Sequence, residues 1–156
     1  MVTENIEIVP ATMRDFGDMQ QMFRKMFELY HVDQDIEYPY TDAGISYLKN
    51  CIDRRIALVA KDKKRTVGFL TGGIGDAAPF KTYQQQGHIH NLFVLDEYRG
   101  QGIGKRLIQR FVEICKGNDV HRIITDSDDI EALRRFYVSL GFCITGIIYE
   151  MDTANN

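Results

Sequence analysis

The stretch Val94-Leu95-Asp96-Glu97-Tyr98-Arg99-Gly100-Gln101-Gly102-Ile103-Gly104-Lys105 decides how this chain is read. The end of an apolar strand passes into a helical pattern through three glycines at alternate positions. Missing side chains let successive backbone N–H groups converge on an anion at the helix N-terminus, where the macrodipole adds about half a positive charge. Two nucleotide patterns are excluded. A dinucleotide fingerprint starting at Gly100 needs a glycine where Lys105 stands, and a Walker A loop needs a glycine at position 99 and Ser or Thr at 106, where Arg99 and Arg106 stand. From spacing alone, two readings stay open: a phosphate cradle, or a glycine-rich connector that binds nothing.

Downstream of this turn, Ile103, Leu107, Phe111 and Ile114 predict a helix from about Gly102 to Lys116, stopped at Gly117. Arg122 to Thr125 reads as a fifth strand. Ile130, Leu133, Phe136, Tyr137 and Leu140 mark another helix ended by Gly141, and Phe142 to Met151 reads as a last strand. Upstream, His88 to Leu95 is a strand, preceded by a loop from Gly72 to Gly87 signalled by glycines, Pro79 and the Gln84-Gln85-Gln86 run. Ile56–Ala60 and Thr66–Thr71 form a hairpin across the polar segment Lys61 to Arg65. A helix runs from Thr41 to about Asp53 with Ile45, Leu48 and Ile52 inward. An earlier one is capped by Thr12, with Asp15 in its first turn and Phe16, Met19, Phe23, Met26 and Tyr30 on one face. Ile6 to Pro10 is the first strand. The order predicts an α/β domain with a mixed sheet: antiparallel hairpins first, then a parallel pair from the strand-helix-strand unit around residues 88 to 125. No repeat, linker or low-complexity segment interrupts it, so residues 1–156 read as a single domain.

Composition fits this reading. The chain has 156 residues, 44% of them apolar and 26% charged, with a net charge of −3. No basic cluster points to a nucleic-acid partner, since phosphate-backbone affinity needs clustered Lys and Arg. Cys51, Cys115 and Cys143 are odd in number, far apart and set among apolar residues, which predicts buried free thiols in a reducing compartment. No apolar run approaches the roughly 20 residues that span a bilayer, and the N-terminus lacks the basic and apolar regions of a signal peptide. The expectation is a cytoplasmic protein with no membrane partner.

Three features resemble the GNAT superfamily of acetyl-CoA-dependent N-acetyltransferases. Arg99-Gly100-Gln101-Gly102-Ile103-Gly104 is similar to that family's pyrophosphate loop, Arg/Gln-x-x-Gly-x-Gly/Ala. Leu92-Phe93-Val94 is similar to the strand that pairs with the pantetheine arm. Phe136-Tyr137-Val138-Ser139-Leu140-Gly141-Phe142 is similar to the Phe-Tyr-x-x-x-Gly-Phe signature of the last helix. The resemblance runs from Ile6 to Met151 and implies a GNAT-like acyl-CoA N-acyltransferase fold, a mixed β-sheet flanked by about four helices. It implies acetyl-CoA as co-substrate, with Gln101 to Lys105 holding the pyrophosphate; homodimerisation is implied by resemblance alone. Lys105, Arg106 and Arg110 lie near the turn, either toward the other coenzyme phosphate or on a solvated helix face. One departure is visible. Where the family often carries Asn and Ala, seven and four residues before the tyrosine, this chain has Ile130 and Leu133; Asp129 and Ala132 fit only with a one-residue slip.

Acetylation of an amine needs a base for the amine's proton, a donor for the developing oxyanion and an acid for the departing thiolate. The resemblance makes Tyr137 the acid; by its spacing alone it is equally a core residue on an apolar stripe. His88 and His90 are two apart on a strand and so share a face, on which Leu92 and Val94 follow. That run resembles the strand of arylalkylamine N-acetyltransferases whose paired histidines act as bases. His90 is the first choice and His88 the second, with Glu97 a weaker one. No third ligand stands at motif spacing, so no metal is expected. The resemblance also places the acyl oxygen at a backbone N–H around Phe93. The loop bearing Tyr30, Asp33, Asp35, Glu37 and Tyr38 reads either as the wall of a pocket for a small cationic amine, such as a polyamine, aminoglycoside or arylalkylamine, or as a solvated acidic loop. Alternative functions are a non-catalytic acyl-CoA-binding regulator and an acetyltransferase of protein N-termini or lysines.

Overall fold

A computed structural model describes residues 5–30 and 35–155. The chain divides into two compact units, Met1–Asp126 and Ser127–Asn156. The first carries β1 (Ile6–Pro10), α1 (Phe16–Tyr30), α2 (Asp42–Asp53), β2 (Leu58–Asp62), β3 (Arg65–Asp76), β4 (Gln85–Val94), α3 (Ile103–Gly117) and β5 (Ile123–Thr125). The strands form one mixed sheet in the order β1-β2-β3-β4-β5. Its first three pairings are antiparallel and β4–β5 is parallel, as the hairpins and the strand-helix-strand unit predict.

Local chemistry sets the helix starts. Thr12 caps a short 3-10 turn, Met13–Asp15, that leads into α1, and the Asp15 carboxylate accepts the Thr12 N–H in return. From α1, Met19, Met22, Phe23, Met26 and Phe27 are buried, and the Phe23 ring stacks on Phe69 of β3 at 4.7 Å. Thr41 caps α2 by accepting the Gly44 N–H, and Leu48, Cys51 and Ile52 turn inward. The other face of the sheet is covered by α3 through Ile103, Leu107, Ile108, Phe111 and Cys115. Leu107 and Phe111 are fully buried, worth about 1.5–3 kcal/mol each by removal of apolar surface from water.

Strand boundaries differ from expectation at two hairpins. The β2–β3 turn is only Lys63-Lys64, with Lys63 at φ 56°, so both strands reach further toward it. The expected Gly72–Gly87 loop shrinks to residues 77–84, because β3 continues to Asp76 and β4 begins at Gln85. Two of these glycines, Gly72 and Gly87, serve close approach. A Cβ on Gly72 would lie 2.5 Å from the His88 carbonyl oxygen and 2.8 Å from the Phe111 ring; one on Gly87 would lie 2.6 Å from Cys115 Sγ. Helix α3 presses on the sheet where only hydrogen fits.

The second unit holds α4 (Glu131–Ser139) and a 3-10 turn, Thr153–Asn155. Gly141, at φ 96°, terminates α4 as predicted. The strand expected from Phe142 to Met151 is not among the strands of the described residues, where those positions carry no ladder pairing. Cys51 and Cys115 are buried free thiols, whereas Cys143 is exposed, which corrects the expectation for the third cysteine. Among the described residues, no helix is long and apolar enough to cross a membrane.

Candidate active site

The site is organised by an irregularity in β4. Thr71 pairs with Asn91 and Gly72 with Ile89, so His90 is an extra residue in the ladder, a β-bulge. The bulge reverses which residues share a face. On the α1/α2 side lie His88 and His90, with ring centroids 4.7 Å apart, and Phe93, whose ring is 6.3 Å from Phe69. Asn91 joins them, donating from Nδ2 to Thr71 Oγ1 at 3.0 Å. Val94 lies on the opposite side: a Cβ on its partner Gly68 would touch both Val94 and Leu107 of α3. The expectation that Leu92 and Val94 follow the histidines on one face is therefore corrected. A period-two reading fails at a bulge.

His90 is held from α2. Its Nδ1 lies 2.8 Å from the Tyr47 hydroxyl, which donates to Thr71 Oγ1 at 3.1 Å. Tyr47 was not among the sequence candidates; the available signal was an aromatic residue with a polar tip on the buried stripe of Gly44, Leu48 and Cys51. His88 Nε2 lies 3.3 Å from Asp126 Oδ1, just past β5. Partial burial lowers the His90 pKa below its ordinary 6.5, the charge of His88 lowers it further, and Asp126 opposes both. The imidazole is thus neutral near neutral pH and able to accept a proton. Burial raises the Tyr47 phenol well above its ordinary range, so it keeps its hydrogen. Among the described residues, no group of three or more His, Cys, Asp or Glu is arranged to hold a metal ion.

Beside His90 the sheet opens. Among the described residues β5 pairs with Gly87, His88 and Ile89, and no strand of the sheet lies on that side of β4 from His90 to Val94. Leu95 donates its N–H to the Val67 carbonyl of β3, and alternation directs the Phe93 N–H to β3 as well. The backbone groups of Leu92 and Val94 point to the open edge, and the Val94 carbonyl accepts from Arg99 Nε at 2.9 Å. Of the backbone N–H groups around Phe93, those of Leu92 and Val94 are the ones at the open edge, and that of Phe93 itself is directed to β3.

The glycine turn fits an anion. Gly100 and Gly102 take positive φ, 75° and 79°, and a Cβ on either would meet open space. Gly102 caps α3 without a side-chain acceptor, and no acidic residue stands in the first turn. The first helical bond runs from the Arg106 N–H to the Gly102 carbonyl, so the N–H groups of Ile103, Gly104 and Lys105 have no partner within the helix. Gln101 Oε1 is buried with no partner among the described residues. A polyphosphate would accept from the N–H groups of Ile103, Gly104 and Lys105, whereas Gln101 Oε1 is itself an acceptor and takes no part in that. Arg99 is anchored by Asp96 at 2.7 Å and lies over the Phe93 ring at 5.3 Å. Arg106 donates to the Ile6 carbonyl and Arg110 pairs with Glu113, which leaves Lys105 as the cation of this turn with neither a side-chain hydrogen bond nor an ion pair among the described residues.

The remaining candidates separate. Glu97 is held below the usual carboxylate range by its own backbone N–H and by Arg65, 2.8 Å away, so it is a poor base. Asp35 Oδ1 accepts the Glu37 N–H, and Glu37 pairs with Arg24 at 3.2 Å. The Tyr38 ring stands 6.4 Å from Phe27. Asp33 and the Tyr30 side chain lie outside the described residues. In the second unit, Tyr137 packs edge-on against Phe136 and Phe142, at 5.1 and 5.5 Å, and the Phe142 N–H returns to the Tyr137 carbonyl. Asp129 is paired with Arg134 at 3.1 Å.

Comparison with known proteins bears on the same features. The sequence profile of the acetyltransferase (GNAT) family matches residues 18–142. N-alpha-acetyltransferase 30 of Schizosaccharomyces pombe is 28% identical over 139 residues, spanning 88% of this chain and 84% of that protein. Two solved structures share the fold. A predicted acetyltransferase of Clostridium acetobutylicum with acetyl-CoA gives a TM-score of 0.76 at 18% identity, covering 97% of this chain and 98% of the other. The aminoglycoside N-acetyltransferase AAC(6')-Iy in complex with CoA gives 0.75 at 14% identity, covering 95% of each chain. With that profile running through the β4 edge, the glycine turn and α4, the chain belongs to the GNAT family of acetyl-CoA-dependent N-acetyltransferases.

Proposed function

We propose that this enzyme acetylates a small cationic amine by direct attack in a ternary complex, with His90 as base and Tyr137 as acid. The observation that carries the proposal is the bulge, which sets a neutral imidazole beside the open edge of β4. In this reading, acetyl-CoA lies along Leu92, Phe93 and Val94, with Arg99, Gly100, Gln101, Gly102, Ile103, Gly104 and Lys105 around its pyrophosphate. The Leu92 or Val94 N–H donates to the carbonyl oxygen as negative charge develops there. His90 Nε2 takes the proton from the attacking amine, directly or through water, and His88 is the reserve base. Tyr137 returns a proton to the sulfur as the C–S bond breaks, since a phenol of pKa near 10 can donate to a thiolate and be reset by solvent. None of the cysteines is assigned an acyl-enzyme role: burial raises the thiols of Cys51 and Cys115, which suppresses thiolate formation. Residues 1–156 act as one acetyltransferase domain in this proposal, supported by a family match that crosses Asp126.

Carboxylates support a cationic acceptor: Asp126 borders the histidine pair, and Asp35 with Tyr38 belongs to the α1–α2 connection, joined by Tyr30 and Asp33 in the sequence. A second reading, a protein N-terminus as acceptor, is favoured by the similarity to N-alpha-acetyltransferase 30 over most of both chains. Acetyl-CoA-dependent thiol release over polyamines, aminoglycosides, arylalkylamines and short peptides separates the two. Turnover on a small amine that falls in both His90→Ala and Tyr137→Phe is the expected result. Turnover confined to peptides selects the second reading, and full activity in both variants removes the assigned roles.

A further inference from the structure

The Tyr47 hydroxyl lies 2.8 Å from His90 Nδ1 and 3.1 Å from Thr71 Oγ1, and Asn91 Nδ2 lies 3.0 Å from the same threonine oxygen. A hydroxyl has one hydrogen to give. Donated to Thr71, it leaves the Tyr47 oxygen as an acceptor toward the ring, and a nitrogen facing an acceptor at this distance must carry a hydrogen. Thr71 Oγ1 has two lone pairs, so it can accept from both Tyr47 and Asn91. The opposite polarity would direct the phenol hydrogen at Nδ1, move the ring hydrogen to Nε2 and abolish the basic lone pair there. We propose that Tyr47 is a positioning residue that fixes His90 as its Nδ1–H tautomer and so reserves Nε2 for the proton of the amine.

This proposal rests on the reading of His90 as base. The titratable groups facing the pair are His88 from β4, Asp126 beyond β5, and Tyr47 itself with Cys51 from α2. The raised phenol pKa keeps Tyr47 neutral, so it acts by hydrogen bonding and not by charge. Its ring is held edge-on by Phe23, with centroids 6.5 Å apart, and its register on α2 is fixed by the buried Leu48 and Cys51. Thr71 is fully buried, which makes it a rigid anchor for the relay. The tautomer a histidine adopts is set by the bond its other nitrogen makes.

The test is nitrogen-15 NMR of the imidazole rings in the full chain, paired with steady-state kinetics. His90 of the parent protein is expected to carry its hydrogen on Nδ1. Tyr47→Phe keeps the ring packing and removes only the acceptor; it should redistribute the hydrogen toward Nε2. The same variant should lower kcat about tenfold, the order of one lost hydrogen bond, and leave the KM for acetyl-CoA unchanged. Thr71→Val should act in the same direction, and Thr71→Ser should restore both the tautomer and kcat. Thermal melts establish that each variant is folded. A parent His90 protonated at Nε2, or a Tyr47→Phe variant with an unchanged tautomer, overturns the proposal. His90→Ala with full turnover would instead overturn the base assignment alone, because the NMR result for Tyr47 is read independently of activity.

Discussion

Gly72 and Gly73 are neighbours in β3, and the structure predicts opposite consequences for the same substitution. A methyl group at position 72 would lie 2.5 Å from the His88 carbonyl oxygen and 2.8 and 3.0 Å from two Phe111 ring atoms. Neither obstacle can swing away. The carbonyl belongs to the β4 backbone, two residues from the bulged His90, and Phe111 of α3 is fully buried. At position 73 the methyl points to the other face and meets His90 Cε1 at 3.4 Å, an ordinary contact with a side chain and not with backbone. Overpacking a fixed core typically costs 1–3 kcal/mol, and with backbone as the obstacle Gly72→Ala should cost about 3 kcal/mol. Gly73→Ala should leave stability within about 0.5 kcal/mol or raise it slightly, because alanine restricts the unfolded chain. With a urea m-value of about 1–3 kcal/mol/M, the Gly72→Ala midpoint should fall by roughly 1–3 M. Equilibrium urea unfolding of both variants, followed by circular dichroism, measures this directly. Equal midpoints would refute the argument that α3 and β4 leave no room at position 72.

Three further expectations follow from charge and backbone geometry. Removing the His88 charge raises the His90 pKa and removing Asp126 lowers it, so the acidic limb of kcat/KM should move to higher pH in His88→Ala and to lower pH in Asp126→Asn; shifts of the same sign would contradict the assignment. Gly102→Ala forces a Cβ into a φ of 79° with no steric contact, so its cost is conformational, about 1–2 kcal/mol, and calorimetry should show CoA binding about tenfold weaker or the fold destabilised by that amount. Burial alone would raise the Asp15 pKa, but Lys61 and the Thr12 N–H overcome it and hold the carboxyl below 3.8. Its contribution is therefore complete above that pH and lost as pH falls through the lower folded value. Asp15→Asn should cost on the order of 3 kcal/mol at neutral pH and flatten the stability profile below about pH 4.

What was legible in the sequence was what depends on one element at a time. The β1 boundaries, the Thr12 and Thr41 caps, the α3 stripe and the Gly141 stop follow from local pattern and reappear in the structure. Glycines at 72, 73, 75 and 87 read as loop in the sequence and lie in strands of the structure, because glycine has two uses that sequence does not separate. One is a turn needing positive φ, as at Gly100 and Gly102; the other is a strand approached closely, as at Gly72 and Gly87, whose obstacles Phe111 and Cys115 come from a helix far along the chain. The strand expected after Gly141 met the same limit, since alternation marks a candidate strand and only a partner makes one.

The bulge shows why the candidate site was half readable. The residue types of the site, two histidines and an apolar strand end, were visible as a run. Their arrangement was not, since it depends on one unpaired residue opposite Thr71 and Gly72. That single insertion puts His90 and Asn91 on the same face, where Tyr47 and Thr71 can hold them. It also shifts the parity of the strand, so that beyond it the backbone of Leu92 and Val94 faces the open edge and Phe93 faces β3. Without the bulge, an imidazole on the α2 face and outward backbone donors at Leu92 and Val94 could not coexist at this register, because a regular strand would turn both by one residue together. The base and the oxyanion donor proposed for the reaction are therefore consequences of one backbone irregularity. Any change that restores a regular ladder at His90 should disable both at once.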